Sequence, residues 1–365
     1  MLSPSEHLKV ELMTHGLTIT EEASHVLKGQ NGTRPMTLAD YASTSGITLE
    51  IDSDIWVNAP IKDFNPNFVS QSPFRLEFRE DQFFVCSDAL EVKAKPIPVP
   101  SYYDKTASTG EQYILYAITH TDRVRVSPIE GCSFGCSFCD SSFKYKYRKK
   151  SIEGLIEAVR VALQDPVLPA RHIMISGGTP YREDFDYLNE VYEKITKAFL
   201  SVPLDIMMVP IPGLLEFEFL KDIGVKGLSL NIELFNEDIA RKLMPKKSKL
   251  SRKAWIDAMD QAVKVFGQGR IRSMLLVGLE SLNDTVRGVE LLAEHGCEPV
   301  LSPFRPDPVT PLYHHSPPGV RFLSEVYERS MEAAARHGMK LGPRCIPCQH
   351  NTLTFPDGSD YYFHY

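Results

Sequence analysis

Beyond about residue 120, short apolar runs alternate with amphipathic stretches. Runs at 124–129, 172–176, 204–209, 227–232, 271–277 and 299–302 have the length of buried strands. Between them, at 152–163, 185–199, 214–223, 255–266 and 285–295, apolar residues fall at helical spacing. Ile152, Leu155, Ile156, Val159 and Leu163 show it in the first of these. A last long helix is predicted over 320–337. Six strand–helix units in this order predict a parallel sheet with outer helices. A TIM barrel needs eight units, so the prediction is an α/β fold, a partial (β/α)6 TIM-like barrel. A flat, doubly wound sheet is the alternative. In both, ligands bind at the C-terminal ends of the strands.

Residues 1–117 follow another pattern. Helix-like stretches at 4–13 and 38–43 give way to irregular, extended sequence rich in Pro and Phe, and Pro96, Pro98 and Pro100 mark a stiff connector. This part does not read as repeated βαβ. The expected organisation is an N-terminal α+β extension (1–117), a barrel (118–340) and a short cysteine-bearing C-terminal closing segment (341–365).

Composition narrows the function. The 365 residues are 43% hydrophobic, enough for a large core. The net charge of -7 argues against a nucleic-acid partner. Apolar runs stay short of the ~18 residues a membrane helix needs, and the first residues lack the basic start and apolar stretch of a signal peptide. The expectation is a soluble, cytoplasmic protein. Its seven cysteines sit at 86, at 132, 136 and 139, at 297, and at 345 and 348. Tight clusters in an odd total suit metal binding or chemistry better than a disulfide framework.

The first cluster, Cys132-Ser-Phe-Gly-Cys136-Ser-Phe138-Cys139, directly follows the first strand of the series. Three thiolates within eight residues can face one metal centre if the backbone curls, as Gly131 and Gly135 allow. A cubane iron–sulfur cluster has four irons, so three cysteines would leave one open. A zinc knot is the alternative, with Asp140 or a distant residue as fourth ligand. The Cys-x3-Cys-x2-Cys spacing, with an aromatic residue before the third Cys, resembles the signature of the radical S-adenosylmethionine (SAM) superfamily. Within it the barrel is similar to the small-molecule branch of biotin synthase and lipoyl synthase. The resemblance implies a [4Fe-4S] cluster on Cys132, Cys136 and Cys139, with SAM bound at its open iron.

Further motifs extend the resemblance. Ser176-Gly177-Gly178-Thr179-Pro180 follows the second strand, about forty residues after Cys139. It is similar to the family's GGE-like motif, which holds the methionine amino group, with Thr179 where Glu is common. Period-two alternation puts Ser229, Asn231 and Glu233 on one face at the end of the fourth strand. The resemblance makes Asn231 and Glu233 ligands of the SAM ribose or carboxylate; a salt bridge or helix cap at the rim is the alternative. The fifth strand is similar to the pattern GxIxGxxE, with Ser273 replacing the first Gly and Gly278 one place late. This implies Val277 and Gly278 as adenine neighbours. Arg305, after the sixth strand, could pair bidentately with a carboxylate of SAM or substrate.

Cys345-Ile-Pro-Cys348 follows the last helix and a short strand-like stretch at 340–342. If that stretch joins the barrel in parallel, both thiols reach the rim of the SAM cluster and face the substrate. Three roles stay open: an auxiliary iron–sulfur cluster needing Cys86, a non-Cys ligand or an open iron, zinc with His350, or catalytic free thiols. The basic run Lys144, Lys146, Arg148, Lys149 and Lys150 reads as a solvated loop or as a docking patch for flavodoxin or ferredoxin.

The implied function is reductive cleavage of SAM to a 5′-deoxyadenosyl radical, which takes hydrogen from a small biosynthetic substrate. Rearrangement, cleavage or epimerisation would follow. Sulfur insertion from a cluster at Cys345 and Cys348 is the alternative chemistry, and a zinc-stabilised binding protein the alternative class.

Overall fold

The computed structural model describes residues 2–29, 46–52, 54–62, 65 and 69–357. The helix expected at 38–43 lies outside the described residues. Among them, no helix is long and apolar enough to cross a membrane.

Helix α1 (Pro4–His15) opens the chain with a capping box: the Ser3 hydroxyl accepts from the Glu6 N–H, and the Glu6 carboxylate accepts from the Ser3 N–H. After β1 (Thr18–Ile19) and α2 (Glu21–Gly29) come β2 (Ile47–Ile51), β3 (Ile55–Ala59), β4 (Arg75–Arg79), β5 (Gln82–Cys86) and β6 (Glu91–Pro96). They form a six-stranded sheet in the order β1-β4-β5-β6-β2-β3, antiparallel except for β1 with β4.

The second sheet is the predicted partial barrel. β8 (Arg123–Val126), β11 (His172–Ser176), β12 (Leu204–Met207), β13 (Gly227–Ser229), β14 (Ile271–Val277) and β15 (Glu298–Pro303) pair in parallel in chain order. One strand escaped the periodicity: β7 (Ala117–His120) pairs antiparallel with β8 and caps that edge. Short β9 (Ile129–Glu130) and β10 (Arg148–Lys149) pair with each other beside the loop that follows β8.

The helices are α3 (Ser141–Lys144), α4 (Ile152–Leu163), α5 (Phe185–Ala198), α6 (Phe217–Ile223), α7 (Glu237–Leu243), α8 (Arg252–Phe266), α9 (Leu282–Glu294) and α10 (Val320–Ala335). Ser151, Ser251 and Ser281 each cap a helix through the side-chain oxygen, and Asn236 caps α7 in the same way. These caps fix where each helix leaves the strand-end face, so the preceding loops are held at that face.

Helix α1 and residues 342–354 are sewn to the barrel and to each other. Gly342 makes one parallel bridge to Val300, a 3-10 turn covers Pro347–Asn351, and Leu353 N–H donates to Leu301 at 2.9 Å. Lys9 of α1 is fully buried and donates to the carbonyls of Gln349 at 2.7 Å and Thr354 at 2.8 Å. Burial pulls its pKa down to about 7, with Glu6 acting weakly the other way. From pH 7 to pH 10.5 the unfolded chain therefore holds the proton that the folded chain has lost. Stability must rise with pH across that window and lose this contribution as pH falls through 7. Urea melts of wild type and Lys9→Met at pH 7 and 9 should show the wild type gaining about 2 kcal/mol on the variant. An unchanged difference would mean that Lys9 stays charged.

Candidate active site

A cavity of about 270 Å³ opens at the C-terminal ends of β8 and β11–β15. Cys132, Cys136 and Cys139 all line it, as does Phe138. The loop that carries them curls through Gly131 (φ 72°) and Gly135 (φ 75°), the left-handed region that glycine reaches without strain.

Two neighbours clamp this loop. On one side is the turn after β11. The Thr179 N–H donates to Cys132 Sγ at 3.2 Å, and the Phe134 N–H to the same sulfur at 3.5 Å. Ser133 N–H donates to the Thr179 carbonyl at 3.0 Å, and Ser133 Oγ to that of Pro180 at 3.2 Å. On the other side, Ser137 N–H donates to the Leu243 carbonyl at the end of α7 at 2.8 Å. Lys246 Nζ donates to the Ser133 carbonyl at 2.7 Å. The 237–250 region, with its helix α7, was not read from the sequence. Its sequence holds no strand to announce it, only a short capped helix.

Gly177 and Thr179 line the cavity, whereas Gly178 serves the loop. A Cβ at Gly178 would lie 1.6 Å from the Gly131 carbonyl oxygen and 2.9 Å from Cys132 Cα, so the two backbones cross with no room for a side chain.

Ser229, Asn231 and Glu233 share one face and reach the cavity together, as alternation predicts. Asn231 Oδ1 accepts from Ser229 Oγ at 2.8 Å and from the Met274 N–H at 3.0 Å, which leaves its NH2 to donate. Glu233 pairs with Lys247 at 2.8 Å, a buried lysine of the same cavity that the sequence did not single out.

Val277 and Gly278 do not reach the cavity. Residues 271, 273, 275 and 277 of β14 are buried on its other face, so Met274 and Leu276 line the cavity instead. A Cβ on Gly278 (φ 109°) would meet Pro318 at 2.9 Å. Arg305 does line the cavity, but its guanidinium donates to Asn58 Oδ1 at 2.7 Å and the Asn58 carbonyl at 2.9 Å. The N-terminal sheet therefore positions it, and Met13 of α1 also reaches the cavity.

Cys345 and Cys348 are far from where strand order suggested. They lie against Asp122, just before β8, and His172, the first residue of β11. Those are the N-terminal ends of strands whose other ends carry the cavity. The segment makes a single bridge at Gly342 and then turns back, with Arg344 paired to Glu298 at the start of β15 at 2.7 Å. Neither thiol lines the cavity, and His350 is turned away, its Nδ1–H donating to the Pro347 carbonyl at 2.9 Å.

The basic run is mostly structural. Arg148 pairs with Glu111 and Glu130, Lys149 with Asp184, and buried Lys150 donates to the Leu115 carbonyl.

Burial pushes the Cys136 thiol up to about 12, against the pull of Lys247, and the Cys139 thiol up to about 11, with Asp140 adding to the effect. Thiols held so high stay protonated at neutral pH unless a bound cation displaces the proton.

A parallel half-barrel with three cysteines curled over the end of its first parallel strand is the architecture of a metal-cofactor enzyme with its site at the strand ends. Residues 126–302 match the model of the radical SAM superfamily. That family uses a [4Fe-4S] cluster and SAM.

Curated relatives include the bacteriochlorophyllide c C-7(1)-hydroxylase of Chlorobaculum limnaeum, 28% identical over 50% of this chain and 39% of its own. The GTP 3′,8-cyclase of Aliarcobacter butzleri is 25% identical over 48% of this chain and 53% of its own. The chain thus spans about half or less of the length of these relatives. Among solved structures, a radical SAM methyltransferase from Sphaerobacter thermophilus aligns over 77% of this chain and 81% of its own, at 15% identity and a TM-score of 0.49.

The glycine pair offers a direct test. Gly178→Ala must separate two backbones and should cost about 3 kcal/mol or more, an extreme of overpacking. At Gly177 a Cβ would lie 3.0 Å from a movable Ser127 hydroxyl, and Gly177→Ala should cost under about 1 kcal/mol. Denaturant melts of the two variants would measure both; equal losses would contradict the crossing.

Proposed function

We propose that the chain is a radical SAM enzyme acting on a small molecule. Cys132, Cys136 and Cys139 would hold the [4Fe-4S] cluster, and SAM would occupy the adjoining cavity. The observation that carries this reading is convergence: the three cysteines, Gly177, Thr179, Asn231 and Glu233 come from loops after three different strands and line one cavity. When bound, the cluster and SAM supply a 5′-deoxyadenosyl radical that removes hydrogen from an unactivated C–H bond.

The chain's own residues then have distinct tasks. The N–H groups of Phe134 and Thr179 stabilise the Cys132 thiolate. The Ser176–Pro180 turn offers backbone to the methionine end of SAM, and Asn231 and Glu233 offer polar contacts to its ribose or carboxylate. Met274 and Leu276 give the adenine an apolar wall in the place first assigned to Val277 and Gly278. Arg305, fixed by Asn58, and Asp307 give the cavity a charged end for the substrate. Lys144 and the exposed Lys146, close to the cluster loop, are the remnant of the patch for a flavodoxin or ferredoxin reductant.

The proposed outcome is rearrangement, cleavage or epimerisation. The relatives' names, a hydroxylase and a cyclase, differ in outcome and support the shared class alone. Sulfur insertion drew on Cys345 and Cys348 beside the cavity. With that pair at the opposite end of the strands, neither a sacrificial cluster nor a catalytic thiol role retains support.

Anaerobically reconstituted protein should carry about four irons and release 5′-deoxyadenosine from SAM on reduction. Alanine at any one of Cys132, Cys136 or Cys139 should abolish that release in a chromatographic assay; full release from any of the three would overturn the reading. Asn231→Ala should keep its iron yet raise the KM for SAM about tenfold, equivalent to one lost hydrogen bond at about 1.4 kcal/mol.

A further inference from the structure

At the N-terminal end of the barrel, Asp122, His172, Cys345 and Cys348 bring one donor atom each within 4.8 Å of one another. We propose that these four residues bind a single zinc ion that pins the C-terminal segment to the base of β8 and β11. This inference is independent of the radical reading, whose site lies at the other end of the same strands.

The distances carry it. His172 Nε2 is 3.4 Å from Asp122 Oδ1. Cys345 Sγ is 3.4 Å from that oxygen and 3.6 Å from that nitrogen; Cys348 Sγ is 3.7 Å and 3.4 Å from the same two atoms. A tetrahedral zinc, with bonds of about 2.3 Å to sulfur and about 2.0–2.1 Å to nitrogen and oxygen, sets its ligands about 3.3–3.8 Å apart. Five of the six edges of the tetrahedron thus match within a few tenths of an ångström, and the sixth, between the two sulfurs, lies within 4.8 Å. A cubane would spread its sulfurs over separate irons, and four donors gathered this closely fit one ion's shell instead.

Burial and charge agree. Asp122, His172 and Cys348 are buried, and Cys345 is partly buried. Two thiols, an imidazole and a carboxylate form a poor hydrogen-bonding set among themselves, because each contact to sulfur is long and weak. A divalent cation satisfies all four at once. Two thiolates and a carboxylate around it leave one surplus negative charge, and Arg123 stands beside the cluster to offset it.

Four protein ligands close the shell, so the ion's role is structural, not catalytic. It cross-links residues 226 positions apart, Asp122 and Cys348. The same segment brings the carbonyls of Gln349 and Thr354 to Lys9 and Asn351 to the cavity wall. An ion at the base therefore helps to hold one wall of the site at the top.

The test uses the full chain purified from zinc-supplemented cells, as wild type and as the C132A/C136A/C139A variant, which removes the other cysteine set. Elemental analysis should find about one zinc per chain in both. Cobalt(II) exchanged into the triple variant should show the visible ligand-field bands of a tetrahedral ion and thiolate-to-cobalt charge transfer. Adding C345S and C348S should remove the zinc and the charge-transfer band. Should that variant fail to fold, H172A in the triple background must lower zinc affinity at least tenfold in a chelator titration. Less than a tenth of an equivalent of zinc in the triple variant would overturn the proposal. So would several irons with sulfide at this site, or two thiols that react freely with zinc present.

Discussion

The crossing of two backbones at Gly178 and Gly131 is the constraint on which the site depends. One oxygen sits where any other residue would place its Cβ. That contact presses the turn after β11 against the loop after β8 and aligns three hydrogen bonds between them. Two adjacent strand ends thus become one rigid unit before any cofactor arrives. The rim cysteines gain their orientation from this unit and from Lys246 on the far side, not from the loop's own stiffness.

Much of the barrel was legible because its strands are covered on both sides and its helices obey one spacing. The strands at 172–176 and 271–277 and the helix at 152–163 agree to the residue. The N-terminal sheet was not legible. Two of its five pairings, β1 with β4 and β2 with β6, join segments tens of residues apart, and β1 has only two residues, too few for a period to register. Along β14, the alternation that correctly grouped Ser229, Asn231 and Glu233 would also have chosen Met274 and Leu276. Matching a family pattern put Val277 there instead, and the pleat overrules it.

The cysteine pair near the end teaches a related lesson. The rule that loops after parallel strands share a rim holds for strands, and Gly342 supplies only a single bridge before the chain doubles back. Nothing in the neighbourhood of Asp122 or His172 marks them as ligands, since they read as the polar residues that begin buried strands. Only the fold brings them to Cys345 and Cys348. The two ends of the barrel then differ in kind. The upper end carries the open, cavity-lining groups suited to chemistry, and the lower end a closed set of donors suited to holding the structure together.

The buried amino group of Lys9 bears on how the molecule comes into being. A ribosome releases α1 long before the carbonyls of Gln349 and Thr354, which lie 340 and 345 positions further on, so this lysine has no native acceptors until they emerge. The half-barrel can gather strand by strand during translation, but α1 must wait for the segment that carries Gln349 and Thr354. Contacts of such long sequence separation are slow to form. Completion of the cavity wall near Met13 and Asn351 therefore waits for residue 351 to emerge, and a nascent chain stalled before that point would present a barrel with one side still unfinished.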